Sequence, residues 1–183
     1  RGLLSETDLP GEAGLRARVT AITGTLSKAF GSQGGFVLGS RSFRDFLINK
    51  ARTFVYTTGV SPLVCGAALA SLGILEKSDE FRLRLWDRVR YARARLLASG
   101  LDLGDSEGPI IPIVIGDTQR TLELADKLRA ADILGVAIRP PTVPAGTDRI
   151  RLTVTAKHTD SDIDRLVDAL KKISVDRVER ERP

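Results

Sequence analysis

The part of the chain after residue 78 alternates helical and extended patterns, and this alternation restricts the fold most. Apolar residues recur every three to four positions within residues 79–98, 118–131 and 159–173, which is the spacing of helices with one buried face. Short apolar or alternating runs occupy residues 110–115, 136–138 and 150–154, as expected of strands. The pattern predicts an α/β unit in which helices cover a small sheet.

Individual residues refine these elements. Pro112 lacks a backbone N–H, so its strand is predicted at the edge of the sheet. Ser99-Gly100 ends the first helix, and Thr159 with Asp162 has the spacing of a capping box at the start of the last one. The residues predicted to face inward are Phe81, Leu85, Val89, Ala92, Leu96, Leu122, Ala125, Leu128, Ile163, Leu166, Val167, Leu170 and Ile173. The arginines between them are interpreted as a solvated helix face.

The preceding residues show shorter patterns. Residues 1–16 are polar and contain glycine, which predicts loop and a short turn. The apolar run through Val19, Ala21 and Ile22 predicts a short buried strand that ends at Gly24, and residues 36–38 predict a second extended run. Residues 42–50 predict a helix with Phe43, Phe46 and Leu47 on one face.

Two further segments follow. Residues 52–58 are β-branched and aromatic, which favours an extended segment. Pro62 suits the first turn of a helix, and residues 67–75 are small and apolar on all sides, which is typical of a buried helix. We place a domain boundary near Lys77, between residues 1–76 and 77–183, and expect the tail after Val175 to fray.

Composition excludes several classes of protein. The 183 residues are 42% hydrophobic, enough for one substantial core or two small ones. The 28 Lys and Arg interleave with 23 Asp and Glu, so a basic nucleic-acid-binding domain is the weaker alternative. Cys65 stands alone, which excludes an internal disulfide and fits a reducing compartment. With no apolar run of membrane-span length and no signal-like start at Arg1, a cytoplasmic protein without a membrane partner is expected.

Lys28 is the candidate functional residue. It lies between an apolar run and the glycines at 31, 34 and 35, with Thr25 and Ser27 beside it. Glycines let the backbone turn tightly or approach a bound group closely, which suits a lysine amine that faces a cofactor. The plainer interpretation is a loop lysine that points into water. The segment lacks the GxxxxGK[ST] spacing of a nucleotide P-loop.

A resemblance to a known family favours the functional interpretation. The segment at residues 25–35 resembles the pyridoxal-phosphate lysine motif of the α-oxoamine synthases, which join an amino acid to an acyl thioester with loss of carbon dioxide. The match continues in order through residues 52–58, Ser61-Pro62, residues 139–147 and residues 149–152.

The resemblance implies a fold and a site. The fold would be the C-terminal part of a fold-type I PLP-dependent transferase. Residues 1–76 would then be the end of the large cofactor-binding domain, and residues 77–183 the smaller C-terminal α/β domain. An upstream part would supply the aromatic group that stacks on the cofactor ring and the aspartate at its pyridine nitrogen. Lys28 would bind pyridoxal 5'-phosphate covalently and act as general base, so its site is expected to favour the neutral amine.

The same resemblance assigns other residues. Thr25 would contact the cofactor phosphate, and Thr57 with Thr58 would reach it across the interface of a homodimer. On pattern alone, Thr25 is a strand-end threonine bonded to local backbone, and Thr57 and Thr58 are ordinary β-branched residues. Arg151 would hold the carboxylate of the amino acid, a group that suits a guanidinium, although Arg149 and Arg151 are equivalent on pattern alone.

Thr142 would contact substrate from a proline-stiffened loop, whose plainer interpretation is a rigid surface turn. His158 is the only histidine and precedes a helix start, so a local capping or packing role is expected, with no metal site. Within the family, the run Arg139-Pro140-Pro141-Thr142-Val143-Pro144 is most similar to the branch that condenses L-alanine with a pimeloyl thioester in biotin biosynthesis. A sister enzyme that uses glycine or serine, and a truncated non-catalytic subunit, remain alternatives.

Overall fold

The structure is a computed structural model that describes residues 19–77 and 79–180, with side chains described as far as residue 173. The chain divides between Asp79 and Glu80 into two compact units. The loop predicted for residues 1–16 lies outside the described residues.

The first unit contains a hairpin and three helices. Strands β1 and β2 pair antiparallel, with Ala21 opposite Gly39 and Thr25 opposite Gly35. The elements are β1 (Ala21–Thr25), β2 (Gly35–Gly39), α1 (Arg41–Lys50), α2 (Arg52–Val55) and α3 (Pro62–Lys77). The two predicted strands and the helices predicted at residues 42–50 and from Pro62 are therefore confirmed.

The prediction of an extended segment at residues 52–58 is wrong for residues 52–55. Residues 52–55 form a short helix, in which the N–H of Tyr56 donates to the carbonyl of Arg52 at 3.0 Å. The Arg52 guanidinium also lies over the Tyr56 ring, 5.5 Å from its centre. Strand propensity depends on having a neighbouring strand, and this local cation–π contact stabilises a helical turn instead.

The burial predicted for the first unit is also wrong for this chain. Ile22 of β1 is 37% exposed, and in the apolar helix α3 Leu63 is 84% and Leu69 68% exposed. The aromatic Phe46 of α1 is 59% exposed. The described part of this unit has one two-stranded sheet and three helices, which leave many large apolar side chains uncovered.

The second unit is a three-stranded antiparallel sheet with three helices. Strand β5 lies in the centre, between β3 and β4. The elements are α4 (Glu80–Leu97), β3 (Ile110–Val114), α5 (Thr118–Ala130), β4 (Val136–Ile138), β5 (Arg149–Thr153) and α6 (Asp160–Arg180). The predicted α/β architecture is confirmed, and Pro112 lies on an edge strand as expected.

The core of the second unit follows the predicted apolar positions. Leu96 of α4, Leu128 of α5 and Ile150 of β5 are all fully buried, and Val167 of α6 is 1% exposed. Two predicted inward residues are instead half-exposed, Phe81 and Leu122. Phe81 lies in the first turn of α4, where its ring contacts the Arg84 guanidinium rather than the core.

Polar contacts connect helices α4 and α6 and cap the start of α6. Arg95 on α4 pairs with Asp164 on α6 at 2.8 Å, and the Tyr91 hydroxyl donates to the same carboxylate at 3.0 Å. The predicted capping box is confirmed, because the Thr159 N–H donates to Asp162 at 2.8 Å and the Asp162 N–H donates to the Thr159 hydroxyl at 3.2 Å.

None of the helices in the described part of the chain is long and apolar enough to cross a membrane. Helix α6 reaches Arg180, and residues 181–183 lie outside the described residues, so fraying of the tail stays a prediction.

Candidate cofactor and substrate sites

Lys28 lies in the loop that joins β1 to β2. The loop is closed by main-chain bonds from the Leu26 N–H to the Gly34 carbonyl at 2.9 Å and from the Ser32 N–H to the Leu26 carbonyl at 2.8 Å. Gly31 and Gly34 have φ of +56° and +96°, which side-chain-bearing residues rarely adopt. The two glycines therefore permit a compact turn around the lysine, as the sequence indicates.

The amine of Lys28 and the hydroxyl of Thr25 lie side by side and are joined by a hydrogen bond. Lys28 Nζ donates to Thr25 Oγ1 at 3.2 Å, and both residues are exposed. Pyridoxal phosphate carries its aldehyde and its phosphate ester on adjacent ring carbons, so a ligand of this kind needs an amine and an anion-binding hydroxyl side by side. The pair presents both groups, and the residues fit the cofactor in this respect.

Two serines tie the lysine loop to helix α3. Ser32 Oγ donates to the Val64 carbonyl at 2.8 Å, and Ser71 Oγ donates to the Phe30 carbonyl at 2.7 Å. These residues were missed from the sequence. A usable signal existed, because Ser71 is a polar residue within the small and apolar run at residues 67–75 of this helix. The two bonds hold the loop at Phe30 and Ser32, on either side of Gly31.

Thr57 and Thr58 follow helix α2 and are exposed. The Thr57 N–H donates to the Phe54 carbonyl at 3.4 Å, which continues the helical turn. Within the described residues neither side-chain hydroxyl has a hydrogen-bond partner. Both hydroxyls are accordingly available to a ligand or a second subunit.

Arg149 and Arg151 differ in the structure although their pattern is the same. Arg149 is half-buried, and its Nε donates to the Thr147 carbonyl at 2.8 Å. Arg151 is exposed on the central strand, between Pro112 of β3 and Val136 of β4, and makes no ion pair or hydrogen bond with another described side chain. Arg151 is therefore the more exposed of the two, and all of its guanidinium N–H groups are without a partner among the described residues, whereas Arg149 has one of them engaged.

Thr142 lies on the exposed loop that joins β4 to β5. Its N–H donates to the Arg139 carbonyl at 3.0 Å, and Thr147 Oγ1 donates to the Pro144 carbonyl at 2.7 Å. The loop thus holds its shape by internal bonds. Thr142 and Arg151 belong to the second unit, whereas Lys28, Thr25, Thr57 and Thr58 belong to the first.

His158 has the local role that the sequence favours. Its Nδ1 accepts a hydrogen bond from the Thr155 N–H at 3.1 Å, in the turn before helix α6. The imidazole also borders a cavity of about 430 Å³ whose rim includes Arg151 and Arg165 and whose floor includes Leu96 and Ile111.

Comparison with known proteins defines the family. The model of the family described as aminotransferase class I and II matches residues 4–170 of this chain. The chain therefore belongs to that family, whose cofactor is pyridoxal phosphate. This confirms the cofactor that the sequence predicted and the resemblance to pyridoxal-phosphate-dependent enzymes.

Individual relatives narrow the resemblance. The chain is 44% identical over 152 residues to 8-amino-7-oxononanoate synthase 2 of Bacillus subtilis, a match that covers 83% of this chain and 39% of the relative. In structure it is similar to serine palmitoyltransferase (SPT) with its PLP internal aldimine, with TM-score 0.82 and 26% identity over 88% of this chain and 41% of that one.

The 8-amino-7-oxononanoate synthase of Francisella tularensis is similar too, with TM-score 0.76 and 26% identity over 87% of this chain and 47% of that one. The chain thus spans about two fifths of the length of the relatives it matches, in their C-terminal portion. The fold predicted from the resemblance, that of the C-terminal part of a fold-type I PLP-dependent transferase, is confirmed.

Proposed function

We propose that the full-length protein is a pyridoxal-phosphate-dependent acyltransferase of the α-oxoamine synthase type, in which Lys28 is the catalytic lysine. The observation that carries this proposal is the pair formed by Lys28 Nζ and Thr25 Oγ1, 3.2 Å apart in a glycine turn. Residues 1–76 would form the end of the cofactor-binding domain, and residues 77–183 the smaller domain.

Each proposed role follows from the chemistry of the side chain. Lys28 would hold the cofactor at its amine and then take the proton from the α-carbon of the amino acid. Thr25 would bind the phosphate through its hydroxyl. When bound, the cofactor supplies an electron sink for the carbanion at that α-carbon. Arg151 would hold the amino-acid carboxylate through two parallel N–H groups, since its guanidinium has no partner within the described residues.

The proposed reaction joins L-alanine to a pimeloyl thioester. The α-carbon attacks the thioester carbonyl and expels the thiol, after which the product loses carbon dioxide to give 8-amino-7-oxononanoate. The named Bacillus and Francisella relatives favour this product. The similarity to serine palmitoyltransferase favours a second candidate, a sister enzyme that uses serine or glycine with another acyl-CoA. Thr142 would contact the substrate from its stiffened loop in either case.

We also propose a homodimer in the cytoplasm, with Thr57 and Thr58 of one subunit reaching the phosphate bound to the other. The free hydroxyls of both residues and the apolar faces of the first unit support a contact with further protein. Neither a nucleic acid nor a membrane is a proposed partner.

The test of the lysine uses borohydride reduction of the full-length protein after incubation with pyridoxal phosphate. We expect a reduced cofactor adduct on the peptide that contains Lys28, and none in Lys28→Ala. Lys50→Ala is the matched control, because Lys50 is an exposed lysine at the end of helix α1. An adduct retained in Lys28→Ala would refute the assignment, and a wild-type protein without an adduct would support the alternative of a non-catalytic subunit.

The test of the substrate pairs L-alanine, glycine and L-serine with pimeloyl and palmitoyl thioesters of coenzyme A and of an acyl carrier protein. We expect release of carbon dioxide with L-alanine and a pimeloyl thioester. Turnover that requires glycine or serine would identify the sister enzyme instead.

A further inference from the structure

Asp148 is a buried carboxylate that the proposed chemistry does not use. It is 2% exposed and lies directly before β5, the strand that carries Arg151. It also ends the connection that begins after β4 and contains Thr142. A buried acid needs a partner, because its charge loses hydration on burial.

The partner of Asp148 is on helix α5. Thr118 Oγ1 donates to Asp148 Oδ1 at 2.6 Å, and Thr118 is the first residue of that helix. The amino end of a helix favours negative charge, since its first N–H groups point outward unpaired. The carboxylate is therefore held by a hydroxyl in the first turn of α5.

The main chain of Asp148 is held at the same place. Its carbonyl accepts from the N–H groups of Ile115 at 2.8 Å and Gly116 at 3.0 Å, which extends the pairing of β3 with β5 beyond Val114 and Arg149. Gly116 has φ of +81°, and a Cβ there would lie 3.3 Å from the Gly146 carbonyl oxygen. The end of the β4–β5 loop is thus packed closely onto the turn between β3 and α5.

We propose that the link between Asp148 and Thr118 positions the substrate-facing part of the second unit. At Asp148 the main chain, through the N–H groups of Ile115 and Gly116, and the side chain, through Thr118, both bind residues outside the loop. Two further hydrogen bonds, Thr142 to Arg139 and Thr147 to Pro144, lie within the loop. These internal bonds maintain the conformation of the loop but do not fix its position relative to the rest of the unit. The side-chain link adds to the main-chain bonds in fixing the carboxyl end of the loop, three residues before Arg151, so Asp148 and Thr118 are positioning residues. The connection to substrate rests on the proposed function.

The test compares four variants of the full-length protein. Thr118→Val removes the donor while it keeps the shape of the side chain, and Thr118→Ser retains the donor. Thr121→Val is the matched control, because Thr121 is a fully buried threonine of the same helix whose hydroxyl donates only to the Asp117 carbonyl, at 2.7 Å. Asp148→Asn is a second, milder change in case Thr118→Val folds poorly, because it removes the charge and weakens the bond while its amide oxygen can still accept from Thr118.

The first measurement is hydrogen exchange of the amides in residues 139–147. Loss of one bond to a buried charge is expected to speed their exchange about tenfold in Thr118→Val. Exchange in Thr118→Ser and Thr121→Val should stay within about twofold of wild type. Equal exchange of this loop in Thr118→Val and Thr121→Val would overturn the proposal.

The second measurement is the steady-state kinetics with the amino acid as varied substrate. We expect KM to rise about tenfold in Thr118→Val with kcat nearly unchanged, because the variant weakens the binding of the ground state and transition state alike. A fall in kcat with unchanged KM would refute the link to the amino acid. If the wild type forms no product with any pair of substrates, the proposed function fails, and the exchange measurement still decides whether the link positions the loop.

Discussion

Replacement of Gly135 by alanine tests the packing that places β4 beside β5. Gly135 is buried and directly precedes β4. A Cβ there would lie 2.9 Å from both Ile150 Cγ2 and Leu128 Cδ1, closer than carbon atoms approach without repulsion. Both neighbours are fully buried, so neither can turn toward solvent to relieve the contact.

The expected cost is that of an overpacked core. One methyl group inserted between two fixed side chains destabilises a protein by about 1–3 kcal/mol. For a unit of this size, each kcal/mol lowers the melting temperature by about 4–8 °C. We expect a loss of this size in the free energy of unfolding, measured by chemical denaturation and checked by thermal melting.

Two comparisons isolate the contact. Gly108→Ala adds the same methyl group where no other atom lies within 4 Å, so its stability should change by less than about 0.5 kcal/mol. Leu128→Ala removes one colliding carbon, so the double variant with Gly135→Ala should lose less stability than the two single changes together. Strictly additive losses would refute the contact of Gly135 with Leu128 of α5, and a Gly135→Ala protein as stable as wild type would refute the close packing of this segment on both α5 and β5.

Two further predictions concern pKa values on helices α4 and α6. Backbone and side-chain hydrogen bonds from Thr159 lower the pKa of Asp162, so Asp162 stabilises the fold above its unfolded pKa, and this contribution is lost as pH falls through the lower folded pKa. The stability difference between wild type and Asp162→Asn, measured by denaturation, should therefore shrink below about pH 4, and a constant difference would contradict this. The hydrogen bond to Asp164 raises the pKa of Tyr91, so the Tyr91 phenol should ionise above the usual pH when tyrosinate absorbance is followed. Tyr91→Phe should remove that later transition and leave the transition of the other tyrosine.

Much of the second unit was predictable because its sequence patterns are periodic and its core is complete. The positions of Val89, Leu96, Leu128 and Ile150 follow from spacing alone, and each is buried. The exceptions lie where a helix face extends past its neighbours, as at Phe81.

The first unit was predictable in its elements and not in its contacts. Residues 67–75 indicate a helix made for burial, and the helix forms, but Leu69 is 68% exposed. An apolar composition shows that a helix surface is suited to burial. Whether the surface is buried depends on which other elements pack against it. The short helix at residues 52–55 was missed because strand propensity expresses the fit to a neighbouring strand, and none pairs with it in the described structure.

The candidate site shows the same division. Lys28 and its glycines could be identified from the sequence because a left-handed turn requires glycine and because the motif resembles a known family. The sequence could not separate Arg149 from Arg151, since both alternate identically along one strand. The hydrogen bond of Arg149 to the Thr147 carbonyl distinguishes them.

Sequence alone thus determined the α/β class, the candidate lysine and the order of the elements apart from the short helix α2, because periodicity, turn residues and motifs are properties of neighbouring residues. Tertiary structure decided the pairing of Thr118 with Asp148, residues 30 positions apart, and the serine bonds that hold the lysine loop. These contacts join segments that are distant along the chain. A local pattern of residues cannot predict which distant residue a side chain will contact.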